Sequence, residues 1–264
     1  GEWTALDITL GIVTILLVIE ATRRIIGWVM AIICLIFVVY AYIGPYMPGL
    51  LAHKGYNTYR IVGQLYLTTE GIFGLPLGVA ATFVFIFVLF GSFLEGTGGG
   101  NFFTELAYAI TGRMVGGPAK TAVIASGLMG SVSGSAVANV VTTGSFTIPM
   151  MKQTGYKPYI AGAVEAAAST GGQIMPPIMG AGAFLMAEFT NTPYLNIVKI
   201  AIIPAIMYYF ATYCFVHFRA KKMGIKPLEA KDIPRLLNVI KKGFHFLIPI
   251  GVLIYFLIAN YSPM

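Results

Sequence analysis

The stretch A-S-G-L-M-G-S-V-S-G-S-A-V-A-N-V-V-T-T-G occupies residues 125–144. It sits in a chain that is 57% hydrophobic and only 10% charged, whereas soluble domains run at about a quarter charged. A segment that only had to touch lipid would not carry so much Gly, Ser, Thr and Asn. The run Gly130–Ser135 predicts a helix break at the centre of the stretch. Non-helical backbone at membrane depth is tolerated only where it is buried in protein or lines a wet cavity. The stretch therefore predicts a binding site near the bilayer midplane, an arrangement typical of secondary transporters.

Working outward, Lys120 and Lys152 bracket 31 uncharged residues. A straight helix of that length would measure about 46 Å, too long for a hydrocarbon core of about 30 Å. A re-entrant helical hairpin over 120–152 resolves the mismatch. It enters by Thr121–Ser131, turns at Val132–Gly134 and returns by Ser135–Met151, with a lysine at each end on one side. A second interruption follows. The helix from Tyr156 to Ala168 meets S-T-G-G-Q-I-M-P-P at 169–177, where two glycines and two prolines cannot continue it. A second half resumes near Ile178, giving a discontinuous helix over 156–190.

The flanking sequence predicts ordinary spans. Trp3–Ile19, Ile25–Gly44, Gly71–Glu95, Val198–Phe218 and Phe244–Tyr261 are apolar enough to cross, and repeated spans exclude a signal peptide. Leu51–Thr69 reads as interfacial, Phe102–Thr111 as a short helix and Ile233–Gly243 as a surface amphipathic helix. Net charge is +7, and Arg219–Lys242 holds eight Lys or Arg against two acids, Glu229 and Asp232. A juxtamembrane basic loop reads as cytoplasmic rather than as a nucleic-acid site. Counting spans back from it puts Lys152–Lys157, Lys120, Arg113 and Arg23–Arg24 on the same side, while Lys54 and Arg60 fall outside. The chain thus divides into scaffold-type helices at 1–119, half of a transport domain at 120–192, and a span, basic loop and final span at 193–264. It is expected to be an all-α polytopic membrane protein.

The two breaks carry the chemistry. A half-helix starting at Ser135 aims free N–H groups and a partial positive charge at the Gly-Ser turn, which suits an anionic substrate group. The half-helices ending near Val132 and Thr170 leave carbonyls free. With the hydroxyls of Ser131, Ser133, Ser169 and Thr170 and the amide of Asn139, those oxygens suit a hard cation such as Na⁺. No organic cofactor is implied. Substrate contact is expected from Ser133, Gly134, Ser135, Asn139, Thr170 and Gln173, although Gln173 serves equally well as a helix cap. Gly127 and Ala125 read as packing residues. Glu165 lies one turn before the second break. It is either a functional intramembrane acid or a structural hydrogen-bond partner for a neighbouring helix. Cys34 and Cys214 read as small packing residues, and His53, His217 and His245 as anchors near span ends. No His or Asp accompanies the serines at either break, so an enzyme is not expected.

The paired motifs G-S-V-S-G-S-A-V-A-N-V-V-T-T-G-S-F-T-I-P-M-M-K (130–152) and G-Y-K-P-Y-I-A-G-A-V-E-A-A-A-S-T-G-G-Q-I-M-P-P (155–177) resemble the large membrane component of tripartite ATP-independent periplasmic (TRAP) transporters. The resemblance is strongest to the fused-permease type that works with TAXI-type binding proteins. It implies one repeat of an elevator-type fold of the ion transporter superfamily in a bacterial or archaeal cytoplasmic membrane. It also implies Na⁺-coupled uptake of an organic anion, a carboxylate by preference, delivered by a periplasmic binding protein. On that pattern the tip at Ser131–Ser135 and the break at Ser169, Thr170, Gly171 and Gly172 contribute one Na⁺ site and one side of the substrate site. The family carries a second hairpin and a second broken helix, which these residues do not contain. The expected partners are therefore the remaining permease half and small-subunit-like helices. The alternatives are a channel built on re-entrant loops and a non-transporting membrane assembly subunit.

Overall fold

The computed structural model describes residues 3–228, 231 and 233–259. Glu229 and Asp232 of the basic loop, and the expected end of the last span at Tyr261, lie outside the described residues. All regular structure among the described residues is helical. Among the described residues, five helical segments are long and apolar enough to cross a membrane: Ala5–Ile25, Trp28–Tyr46, Leu75–Gly96, Tyr194–Lys222 and Leu236–Ile258. The protein is an all-α polytopic membrane protein. Two compact units are present, one up to Gly78 and one from Val79.

In the first unit α1 (Ala5–Ile25) and α2 (Trp28–Ile43) pair, and α3 (Thr58–Val62) runs into a π-helical turn at Gly63–Leu67. Thr4 caps α1, exchanging hydrogen bonds with Asp7, which satisfies the first free N–H groups. Arg23 and Arg24 pair with Glu20 at 2.6 and 2.8 Å, so three of this helix's charges are spent locally. Gly44 lies directly under the His53 ring. That ring sits edge-on to Tyr40 and stacks on Tyr56. His53 is thus a packed residue between aromatic neighbours.

After α4 (Leu75–Val79) and a π-helical turn at Ala80–Val84, the second unit contains α5 (Phe85–Gly96) and α6 (Gly99–Thr111). The hairpin consists of α7 (Gly117–Ser133) and α8 (Ala136–Gln153). The first half of the broken helix, α9 (Pro158–Gly171), packs on both arms, and α10 (Ala181–Phe189) is the second half. α11 (Tyr194–Lys222) covers α7 and α9; α12 (Leu236–Gly243) packs on α6 and leads into α13 (Leu247–Ile258).

Small residues make this packing possible. Ala119, Ala122, Ala125, Ser126 and Gly127 leave α7 buried along most of its length. Without a hydrophobic drive between lipid-bathed helices, close approach through small side chains is what binds them. α11 shows the opposing faces clearly. Ala205, Tyr209, Val216 and Ala220 are buried, while Ile203, Met207, Phe210 and Phe218 are exposed, as a lipid-facing stripe requires.

The first arm runs two residues past its expected end, to Ser133, and the turn narrows to Gly134–Ser135. Ser131 stays inside the helix. Its hydroxyl donates back to the Leu128 carbonyl at 2.7 Å, so it rides in the helix instead of breaking it. The first half of the broken helix likewise runs on to Gly171, and the second starts at Ala181, three residues later than expected.

Candidate functional site

The hairpin turn is built by two residues. Gly134 takes φ +62°, the left-handed region glycine favours, and its N–H closes on the Gly130 carbonyl at 3.0 Å. Ser135 caps α8 by accepting the Ala138 N–H at 3.3 Å. Gly134 is required for a second reason: a methyl group there would stand 2.1 Å from the Met179 carbonyl oxygen.

The break is equally specific. After Gly171 the chain makes a 3₁₀ turn at Gly172–Ile174, passes a cis Pro176–Pro177 bond and reaches Met179 at φ +61°. The Gly180 N–H then donates to the Gln173 carbonyl at 2.7 Å, and the Ile178 N–H donates to the Ser131 carbonyl at 3.1 Å. Hairpin tip and break are therefore bonded to each other through backbone.

Three tyrosines of α11 supply donors to this broken backbone. Tyr208 donates to the Ala167 carbonyl at 2.7 Å, Tyr209 to that of Ala168 at 2.9 Å, and Tyr194 to those of Pro177 and Ile178. The Tyr208 ring fits only because Gly171 has no side chain there: a methyl group would stand 2.4 Å from it. Carbonyls expected to lie free at the end of α9 are thus partly occupied, because α11 brings hydroxyls to them. Nothing in the local sequence of the break signals these partners, which lie far along the chain.

Glu165 is fully buried between α7, α8 and α9. Its carboxylate accepts from Ser126 at 2.9 Å and Ser169 at 3.1 Å, and from Thr143 and Thr147. Gly144 leaves the room: a methyl group there would lie 3.0 Å from Glu165 Cγ. Glu165 thus hydrogen-bonds both arms of the hairpin. Four hydroxyl donors offset much of the cost of burying a carboxylate.

The residues singled out from sequence therefore separate. Ser133, Gly134, Ser135 and Gln173 line one cavity of ≈ 770 Å³. The N-cap of α8, Ser135, and the first turn of α10 line it, and Val84, Phe87, Ile197 and Ile200 give it an apolar wall. Among the described residues, no charged side chain lines it. Gly172 meets Gly130 at the junction of tip and break. Ser131 lies at the tip but points its hydroxyl along its own helix, as Thr170 does toward the Ala166 carbonyl. Asn139 and Ser169 are fully buried beside the cavity rather than in it. The Asn139 amide donates to the Ser126 carbonyl at 2.8 Å, and Ser169 faces Glu165.

Other polar groups are structural. Glu95 accepts from Thr142, tying α5 to α8, and Glu70 accepts from Gln64. Lys120 is buried with its ammonium 4.7 Å from the Tyr213 ring centroid. In the turn between α8 and α9, burial pushes the Tyr156 phenol up to about 12, so it stays neutral. No cluster of three or more His, Cys, Asp or Glu occurs among the described residues. The lone-pair donors offered at the two breaks are carbonyl and hydroxyl oxygens, the ligand type that hard cations take.

Residues 13–264 match the family described as tripartite ATP-independent periplasmic transporter, DctM component. A Sinorhizobium fredii protein, y4mL, described as uncharacterized, is 32% identical over 155 residues, 58% of this chain and 35% of that protein. The isethionate TRAP transporter permease protein DctMQ of Oleidesulfovibrio alaskensis is 29% identical over 149 residues, 55% of this chain and 22% of that one. A putative TRAP transporter large permease protein of Haemophilus influenzae is 28% identical over 129 residues, 49% and 29% of the two chains. The chain therefore spans about a third or less of the length of these relatives.

Proposed function

We propose, from the premise that this chain belongs to the DctM component family of tripartite ATP-independent periplasmic transporters, that it supplies one face of the substrate and ion site of a secondary active permease. The chain is a multi-pass inner-membrane protein of a transport family, not an enzyme. The proposed activity is Na⁺-coupled uptake of a small organic anion, a carboxylate by preference, handed over by a TAXI-type periplasmic binding protein. The remaining permease half and small-subunit helices complete the assembly.

One observation carries this reading. Ser135, the N-cap of α8, and the first turn of α10 line the same cavity, and no charged side chain among the described residues does. Helix N-termini stabilise an anion through free N–H groups and the helix dipole. The apolar wall suits the body of an organic acid. The proposed Na⁺ ligands are oxygens of Ser131, Ser133, Thr170, Gly171 and Gly172, with Asn139 and Ser169 holding the framework around them. Bound there, the ion adds positive charge beside the anion. The hairpin and the broken helix, bonded tip to break, are proposed to move together as the transport unit of an elevator.

The test is uptake into proteoliposomes by the full-length permease with its binding protein. An imposed Na⁺ gradient should drive accumulation above the external concentration, saturably and only with the binding protein present. Flux that merely equilibrates, or that ignores the gradient, would favour a channel and refute coupling.

A further inference from the structure

Glu165 holds more structure than a single interhelical bond explains. Its four hydroxyl donors come from both hairpin arms and from its own helix: Ser126 on α7, Thr143 and Thr147 on α8, Ser169 on α9. Each hydroxyl has one hydrogen to give. Thr143 and Thr147 also lie 2.7 and 3.1 Å from the carbonyls of Asn139 and Thr143, so each chooses between its own helix and the carboxylate.

The choice matters because of what stands one turn nearer the tip on α8. Asn139 touches Thr143 through its Oδ1 at 3.4 Å and donates its amide to the Ser126 carbonyl at 2.8 Å. The same amide nitrogen lies 2.9 Å from where a Gly130 methyl would be and 3.3 Å from where a Gly172 methyl would be. Asn139 is thus wedged at the contact between hairpin tip and break. We infer that Glu165 is a positioning residue: by fixing Thr143 and Ser126 it sets Asn139, and through Asn139 the register of the tip against the break. The inference rests on the reading of that junction as an ion site, and it adds the residue that holds the junction in shape from one turn below.

The hydrogen count yields the discriminating variants. Glu165→Gln keeps one oxygen for Ser126, Thr143 and Ser169. Its amide nitrogen then donates to the Thr147 hydroxyl, whose own hydrogen turns to the Thr143 carbonyl 3.1 Å away. The network survives with one bond reversed. Glu165→Leu removes the acceptor altogether. Thr143→Val is isosteric, leaves the carboxylate three donors and removes the single hydrogen for which Glu165 and Asn139 Oδ1 compete.

The test uses the full-length permease in lipid nanodiscs with two readouts, neither of them transport. The first is amide hydrogen exchange of segment 130–139 without Na⁺. The second is the NaCl concentration that half-saturates thermal stabilisation, against choline chloride. E165L and T143V should exchange faster at 130–139 and need about tenfold more NaCl, with E165Q within about threefold of wild type. If E165L does not fold, T143V carries the comparison. Wild-type exchange in T143V would overturn the proposal. So would an E165Q as perturbed as E165L, because charge rather than acceptor geometry would then be operative. If NaCl fails to stabilise even the wild type, the ion-site reading falls, while the exchange data still decide whether Glu165 positions the tip.

Discussion

Gly130 and Gly172 meet backbone to backbone: a methyl group on Gly130 would stand 2.5 Å from the Gly172 Cα, and one on Gly172 would stand 2.6 Å from the Gly130 Cα. No flexible side chain is available to yield. Gly130→Ala and Gly172→Ala should therefore each destabilise the protein by about 1–3 kcal/mol, the usual range for overpacking. Gly162→Ala on α9, where nothing lies within 4 Å, should be harmless. Thermal unfolding in detergent compares the three.

Gly134 combines a left-handed backbone with a blocked Cβ position, 2.1 Å from the Met179 carbonyl. Gly155, at φ +98°, has the strained backbone alone, with open space around it. Gly155→Ala should cost about 1 kcal/mol from backbone strain. Gly134→Ala should cost distinctly more and displace the Met179 segment. The unfolding temperatures of the pair separate strain from collision, and equal effects would contradict the tip-to-break contact.

Tyr209 and Tyr208 donate to adjacent carbonyls, but Tyr209 is buried and Tyr208 only partly so. Each Tyr→Phe change removes one hydroxyl and little else. Y209F should lose about 1 kcal/mol, and Y208F less because its hydroxyl bond is not buried. Unfolding midpoints of the single and double variants check the order, and a Y208F effect larger than that of Y209F would contradict it.

Ser135 serves both as the cap of α8 and as part of the cavity lining. Ser135→Ala should cost about 1 kcal/mol of stability as a lost cap. Ser135→Asp keeps a capping oxygen but brings a negative charge to the proposed anion position. It should match wild type in stability while uptake by the full-length transporter falls. Full uptake by S135D would argue against an anion at that helix end.

The breaks were legible in the sequence because their signals are local. Gly134, the Gly171–Gly172 pair and Pro176–Pro177 cluster helix-breaking residues at the two places where the helices stop, whereas Pro149 and Pro204 stand alone and are carried inside α8 and α11. Their exact edges were less so. Ser131 looks like a breaker in isolation, yet in an apolar helix its hydroxyl turns back to Leu128 and the helix continues. The separation of Ser133 and Ser135 from Asn139 and Ser169 could not be read at all. It depends on helix rotation, which places the first pair on the cavity and the second against Ser126 and Glu165. The tyrosine donors of α11 are likewise distant in sequence. A polar stripe at Ser126, Thr143, Thr147 and Ser169 was the available sign that Glu165 had partners on other helices.

The central claim is that the tip at Gly134–Ser135 and the break at Gly171–Gly180 form one cation-responsive site. Amide hydrogen exchange of the full-length permease in nanodiscs, in NaCl against KCl at equal ionic strength, tests it most directly. Sodium should slow exchange at both segments together, saturably and at one common midpoint, with the rest of α7 and α9 unchanged. Identical exchange in the two salts, or protection of one segment without the other, would contradict it.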